Sequence, residues 1–592
     1  MQASLDLAVI GNCTWGGLLD CGARLVWACL PRFDSDPLFP ALLDDSPDHD
    51  GTFTVELADL AACEQRYDGN SAIAVTVLRD RAGSALEIRD FAPRFADHGR
   101  FYRPTQLVRR VRPLHGYPRI RILLRPRSAY GSSRPSFARG SNHLRILGAE
   151  QAMRLTTDVP VAYVAGAVPF VLDKPFDLIL GPDETLAGPI PAIARDFDER
   201  THEYWTEWSR TLSIPFEWQE AVIRAAITLK LCNFEETGAI VAALTTSIPE
   251  APGTTRNWDY RYCWLRDAYF VIHALNRLGA TRTMEGFLSY IRSLAASADG
   301  SLQPVYGIGL EANLEERSES GLAGYRGTSP VRVGNQAYQQ LQHDVYGSLV
   351  LAATHSFFDE RLLHHGGKHL FELLEGFGAR AVEVWDQPDA GIWELRSRSR
   401  VHTFSAAMCW AACDRLARIA MHLGESARAA RWRGKAESIR SGILKRAWSE
   451  KRGSFVATFE GEDVDASLLL LSEIGFLEAG DPRFAATVGA VESELRRGPY
   501  LFRYASDDFG APRTSFNICT FWYIGALTAL GRRDEARELF QNMLERRNRL
   551  GLLSEDLDPE TGELWGNFPQ TYSMVGLITA ATRLSRSWDD AL

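Results

Sequence analysis

The twelve residues Asn257–Ala268 read NWDYRYCWLRDA. The stretch carries four aromatic side chains, Trp258, Tyr260, Tyr262 and Trp264, with Tyr269 just beyond, and it closes on Arg266 and Asp267. Aromatic faces stack on the C–H faces of a sugar ring, and a paired cation and carboxylate bind its hydroxyls. The plain alternative is a buried aromatic cluster, with Asp267 as N-cap of a helix beginning at Ala268.

Three loops further along bear on that choice. In Asp389–Arg396, DAGIWELR, Glu394 follows Trp393 in a Gly-containing loop. A carboxyl beside an indole can be desolvated and held protonated near neutral pH, as a general acid must be; an ordinary exposed loop glutamate is the alternative. In Gly551–Gly566, GLLSEDLDPETGELWG, Glu555 comes just after the apolar Leu552–Leu553 pair, where a loop leaves a core. Asp556, Asp558, Glu560 and Glu563 read as a solvated acidic turn, since the glycine a calcium loop needs is missing. Gly321–Asp344 carries Tyr325, Arg326 and Arg332 in a Gly-rich loop able to rim a pocket. Asn335 reads there as an N-cap and His343 as a helix-face residue. Two carboxylic acids on separate loops, with an aromatic and Arg/Asp platform, meet the needs of glycoside hydrolysis: one protonates the leaving oxygen, the other activates water or attacks carbon. No GxSxG elbow, Walker loop or zinc motif competes.

The elements that must position these residues change character along the chain. Residues 1 to about 200 read as short strands punctuated by prolines, with alternation in Arg119–Leu124 and a hairpin joining Ser71–Leu78 to Ala85–Phe91. Val161–Leu172, rich in Val, Ala and aromatics, reads as a further strand. An antiparallel β-sandwich follows. Pro189–Leu212 reads as the connector, with 201–215 as linker between a domain over 1–200 and one over 216–592. From Phe216 the period is 3.6, and about twelve helices are predicted, at 216–234, 268–279, 282–296, 336–357, 360–381, 403–422, 425–446, 464–473, 482–495, 514–530, 532–548 and 570–586. Several form close pairs split by a Gly-containing turn, which predicts an (α/α)6 barrel with the chemically dense loops converging at one end.

The chain has 592 residues, 45% hydrophobic and 24% charged, enough for two or more cores. A formal net charge of −10 argues against a nucleic-acid partner. The nine cysteines include no CxxC and no zinc spacing, so reduced thiols are expected. No leader pattern and no apolar run of membrane-spanning length is present, and a cytoplasmic protein with no membrane partner is expected. A homo-oligomer is compatible with this reading.

Six blocks in order, including TLKLCNFEETGAIVAALTTSIPE (228–250), NWDYRYCWLRDA, GYRGTSPVRVGNQAY, GIWEL and GLLSEDLDPETGELWGNFPQTYS, resemble those of glycoside hydrolase family 15, the glucoamylase and bacterial trehalase family. The opening segment Leu7–Leu42 resembles the N-terminal β-domain of its bacterial members. The resemblance implies an N-terminal β-sandwich and a catalytic (α/α)6 barrel. It also implies hydrolysis of an α-glucosidic bond with inversion, on a small carbohydrate and with no metal or organic cofactor. It matches Glu394 to the general acid, Glu555 to the general base, Arg266 and Asp267 to the pair gripping the non-reducing glucose, and Tyr260 and Trp264 to aromatic positions flanking it. Glu394 is expected to be raised by Trp393 and burial, and Glu555 to stay ionised near neutral pH. Two positions depart: Leu395 stands where fungal-type glucoamylases carry a second acid, and Asn517 is more polar than the family pattern. The leading expectation is an exo-acting α-glucosidase of glucoamylase type acting on small α-glucosides or maltooligosaccharides. Trehalase and a 1,6-specific enzyme are the alternatives, and a disaccharide phosphorylase or a non-catalytic sugar-binding protein stands further off.

Overall fold

The computed structural model describes residues 3–44, 50–297 and 301–591. Two antiparallel sheets lie face to face in the N-terminal part. One has seven strands: Ala8–Gly11, Gly16–Leu19, Leu25–Cys29, Pro37–Phe39, Thr52–Leu57, Arg119–Arg125 and Phe170–Val171. The other has eight, with Ala74–Asp80, Ala85–Phe91, Leu107–His115 and Phe176–Pro182 at its centre. In Arg119–Arg125, Ile120 and Ile122 point into the core while Arg119 and Arg121 face out, the period-two pattern of a half-buried strand. Phe53, Val55, Ile120 and Ile122 of one sheet meet Leu78, Ile88, Val111 and Leu178 of the other in one apolar cluster. The hairpin expected between residues 71 and 91 is present, its turn closed by the Asp80 carboxylate, which accepts from the Ala82 and Ser84 N–H groups at 2.9 and 2.8 Å.

Val161–Leu172 is not a strand. Val161–Ala165 is a helical turn that seals one end of the sandwich with Val161 and Val164, and only Phe170–Val171 pairs with a sheet. Of the run only Val161, Val164 and Leu172 are buried, while Val168 and Val171 stay exposed, and apolar composition over so short a run does not distinguish a strand from a helical turn. The stretch read as connector and linker is mostly the helix Ile190–Arg210, which buries Ile190, Ala194, Asp198, Thr201, Trp205 and Ser209 along one face. Asp198 accepts from Arg89 and Arg110 of the eight-stranded sheet, fixing the helix to the sandwich.

From Gln219 to Leu584 the described residues form eleven α-helices, and a 3-10 helix, Ala466–Leu471, takes the twelfth place. Leu265–Arg277, Asp344–Phe358, Thr403–His422, Ala466–Leu471, Asn517–Ala529 and Thr571–Leu584 touch in sequence and close into an inner ring. These are buried almost all round, whereas outer helices such as Lys368–Val384 bury a single stripe: Phe371, Leu374, Phe377, Gly378, Ala381 and Val384. The helix read over 336–357 is broken into a 3-10 turn, Gln336–Gln339, and the helix Asp344–Phe358. Asn335 caps the turn, its Oδ1 accepting from Ala337 N at 3.0 Å, and His343 is the N-cap of the helix rather than a residue of its face. The break frees Gln340 and Gln342 to bond with the Glu394 backbone and Arg266. All nine cysteines are free thiols, seven of them buried. Among the described residues no helix is long and apolar enough to cross a membrane.

Candidate active site

Residues 257–264 run extended along the barrel rim, paired with the segment 242–247: Ala242 N donates to Tyr262 O, Ala243 N to Tyr260 O and Ser247 N to Trp258 O, at 2.9–3.1 Å. Extension sends successive side chains to opposite sides. Trp258 and Tyr260 therefore enter the pocket, while Asp259 and Arg261 turn away from it. The helix that follows starts at Leu265, not Ala268, with Trp264 at its N-cap. Asp267 is consequently a first-turn residue and not the cap; its carboxylate is free to face the pocket.

Glu394 sits on a tight loop. Ala390 N donates to Leu341 O at 2.9 Å, Asp389 and Arg400 exchange backbone bonds, and Glu394 N reaches Gly391 O at 3.2 Å. Glu394 itself has φ +57°, a left-handed conformation that costs a non-glycine residue on the order of 1–2 kcal/mol and that surrounding contacts must impose. Its Oε1 accepts from Trp264 Nε1 at 2.6 Å and lies 3.3 Å from Arg266 Nη2. The side chain remains 25% exposed. The Trp393 indole N–H is committed to Asp465 Oδ2 at 2.8 Å, so the indole N–H that Glu394 receives comes from Trp264 instead.

Glu555 leads into a three-stranded sheet formed by Ser515–Phe516, Asp556–Leu557 and Leu564–Trp565. It is 1% exposed, and its Oε1 accepts from the Tyr260 hydroxyl at 2.8 Å. Its Oε2 has no hydrogen-bond partner among the described residues. Gly566 leaves the room: at its φ of +75°, an added Cβ would lie 2.6 Å from the Glu555 Cβ and 2.8 Å from Oε2. Asn517, which departed from the family pattern, has a local task, donating to Ser554 O at 2.9 Å behind the Glu555 backbone. Glu555 was expected to stay ionised near neutral pH. Instead burial, then Asp556 and Glu250, push its carboxyl well above the usual carboxylate range, while Arg503 and the Tyr260 hydroxyl pull the other way. Asp556 is raised with it, to about 7, first by burial.

Beside Glu394 lies Arg266, with Gln342 Oε1 at 2.7 Å, Asp344 at 3.4 Å and Asp267 at 3.6 Å. Burial raises the Asp267 carboxyl to about 7 against the opposing pull of Arg266, with Glu394 and Asp344 adding to the rise. All seven residues singled out in the sequence, Tyr260, Trp264, Arg266, Asp267, Trp393, Glu394 and Glu555, line this one pocket. Sequence reasoning missed Glu250, Arg256, Arg503 and Asp507, which form an ion-pair network in the pocket lining, and Trp522, Gln570 and Tyr572, which line it too. Gln570 and Tyr572 fall in the FPQTYS part of a block already recognised. Arg503 sits in an ordinary-looking segment that gave no signal. Among the described residues no group of His, Cys, Asp and Glu is arranged to hold a metal ion.

The family model described as glycosyl hydrolases family 15 matches residues 218–582, and the model of the trehalase-like N-terminal domain matches residues 5–163. The chain is 33% identical to a protein named trehalase from Thermoplasma acidophilum, over 95% of this chain and 97% of the relative. It is 32% identical to the trehalase of Mycolicibacterium smegmatis, over 99% and 92%. A solved structure described as a bacterial glucoamylase complexed with acarbose superposes with a TM-score of 0.69 at 14% identity, covering 98% of this chain and 94% of that one, and shares the fold.

Proposed function

The chain belongs to glycosyl hydrolase family 15, and from that premise we propose that it cleaves the disaccharide trehalose with inversion, Glu394 acting as general acid and Glu555 as general base. The observation that carries the mechanism is that the two carboxyls matched by family position to the acid and the base line one pocket. Glu394, partly open and fixed by an indole N–H and a guanidinium, is placed to hand a proton to the glycosidic oxygen as the C–O bond breaks. Glu555 offers the unpartnered Oε2 to a water, takes its proton and leaves the new C–O bond on the opposite face of the ring. A raised carboxyl is the stronger acceptor once ionised, so the rate rises with pH as Glu555 loses its proton, and this acid limb lies above the ordinary carboxylate range. Arg266 and Asp267 hold the hydroxyls of the glucose being cleaved, and Tyr260 and Trp264 flank it.

Substrate choice is supported by relatives that carry the name trehalase over nearly their whole length, N-terminal domain included. The charged wall of Glu250, Arg256, Arg503 and Asp507 suits a second hydroxyl-rich sugar, and Leu395 departs from the glucoamylase pattern. The glucoamylase-type reading, which led from the sequence, keeps only a shared fold at 14% identity.

Glucose release from trehalose, maltose, maltotriose, isomaltose, kojibiose and nigerose, without added phosphate, tests the proposal. Trehalose is expected to be the best substrate by at least about tenfold; faster turnover of maltotriose overturns the assignment. Inversion releases one β- and one α-glucose from each trehalose, distinguishable by NMR before mutarotation. Two α-glucoses would mean retention.

A further inference from the structure

Arg261 has no task in the scheme above, yet it is fully buried and every one of its guanidinium nitrogens is engaged. Nε and Nη2 bind the Asp259 carboxylate at 2.9 and 2.8 Å. Nη2 also donates to the Tyr130 hydroxyl at 3.1 Å, and Nη1 to Ser35 O at 2.9 Å, with Cys29 Sγ at 3.4 Å. Cys29, Ser35 and Tyr130 all belong to the N-terminal sandwich. The loop presenting Tyr130 is itself fastened: Ala129 and Tyr130 both adopt left-handed backbone, φ +49° and +47°, with their N–H groups held by Asp36 at 2.5 and 2.7 Å. On the barrel side the Asp259 carboxylate accepts from Gly334 N at 3.3 Å. The rim strand is thus clamped between two domains at residue 261.

We propose that Arg261, docked into the N-terminal sandwich, is a positioning residue that holds Tyr260 against Glu555 and, through the Tyr260–Trp264 ring contact, steadies the indole bonded to Glu394. The proposal rests on the roles given above to Glu394 and Glu555. Neighbouring residues of an extended strand project oppositely from a shared backbone, so an anchor at 261 fixes the origin from which the 260 side chain reaches into the pocket. The Tyr260 hydroxyl meets Glu555 Oε1 at 2.8 Å, and its ring meets that of Trp264 edge-on with centroids 5.4 Å apart. Trp264 Nε1 then meets Glu394 Oε1 at 2.6 Å. One clamp in the β-domain therefore reaches both carboxyls. The groups that set the proton affinity of Glu555 are its chain neighbour Asp556, the buried Glu250 and Arg503, and Tyr260. Of these, Tyr260 stands on the strand that Arg261 anchors. A hydrogen bond to a carboxylate favours its ionised form, so loosening the strand moves the acid limb of the rate profile to higher pH.

The test uses the full chain, with melting temperature measured beside kinetics for Arg261→Lys, Tyr130→Phe, Tyr260→Phe and Glu555→Gln. Arg261→Lys is expected to lower kcat by about 10- to 100-fold with KM changed less than about threefold, because misplacement of roughly an ångström has that cost. Its acid limb should move up in pH, as in Tyr260→Phe, and the double variant should show no further shift. Tyr130→Phe leaves the Arg261–Asp259 pair intact and should give the same shift, smaller. A folded Arg261→Lys with wild-type kcat and acid limb overturns the proposal, as does full additivity with Tyr260→Phe. If Arg261→Lys does not fold, Tyr130→Phe decides, and an unmoved acid limb there overturns it. Near-complete loss in Glu555→Gln keeps the role of the base intact whatever Arg261 does; wild-type turnover in Glu555→Gln removes the role itself.

Discussion

Glu394 is a quarter exposed and faces an indole N–H and a guanidinium, whereas Glu555 is buried among carboxylates with a tyrosine hydroxyl on one oxygen and, among the described residues, no partner for the other. The two side chains are chemically identical and reach the same pocket from loops on the same rim. Their difference is made by burial and largely by partners remote in sequence, with Asp556 the chain neighbour that adds to it. Trp393, next to Glu394, spends its N–H on Asp465, while Trp264, far away in the chain, supplies the N–H that Glu394 receives. For Glu555, burial and the anionic company of Asp556 and Glu250 raise the carboxyl, and the carboxylate-lowering influences of Arg503 and Tyr260 do not cancel them. Two like groups acquire unlike surroundings when the fold gives an indole N–H and a guanidinium to one and like charge to the other.

The sharpest way to break this comparison is to neutralise each acid in turn. Glu394→Gln and Glu555→Gln should each lose about 10²–10⁴-fold on trehalose, the usual range for a positioned acid or base. Only Glu394→Gln should keep activity on α-glucosyl fluoride, whose leaving group needs no proton. Equal rescue of both variants would show that the roles are not divided as proposed. Next in size is Asp267→Asn, which removes one charged partner of the sugar hydroxyls. A loss of ~2–3 kcal/mol in transition-state binding, about 30- to 150-fold in kcat/KM, is expected with the melting temperature kept. A lowered melting temperature with normal turnover would make Asp267 structural.

The electrostatic half of the comparison is tested by pH. Activity requires ionised Glu555, so it is present above that group's pKa and lost as pH falls through it. Asp556→Asn takes away a like charge and leaves Arg503 freer to attract Glu555, so the acid limb should move to lower pH. A limb that stays in place would remove Asp556 as a cause of the raised carboxyl. The smallest effect expected is that of Trp393→Phe. It strips Asp465 of one donor while the Ser467 N–H and hydroxyl remain at 3.0 and 2.5 Å, and should cost ~1 kcal/mol of stability. Thermal unfolding should register it, with turnover within about tenfold of wild type, since Trp393 also lines the pocket.

Chain order and residue type alone determined much here. The change from period two to period 3.6 separated a sandwich from a helical ring, because each pattern buries an apolar face on only one kind of backbone. The spacing of Trp258, Tyr260, Trp264, Arg266 and Asp267, with Glu394 and Glu555 in separate loops, marked out groups that line one pocket. The short apolar runs were where sequence fell short: Val161–Ala165 folded as a helical turn and Ala466–Leu471 as a 3-10 helix, since length and neighbours, not pattern, decide such segments. The tertiary structure alone decided which oxygen of Glu555 stays unpartnered, that Glu250 and Arg503 stand beside it, and that Arg261 turns outward into another domain. Asp556 is a neighbour in the chain, but the burial of Glu555, the charges of Glu250 and Arg503, and the direction of the Arg261 side chain depend on contacts across dozens to hundreds of residues, which no window of sequence contains.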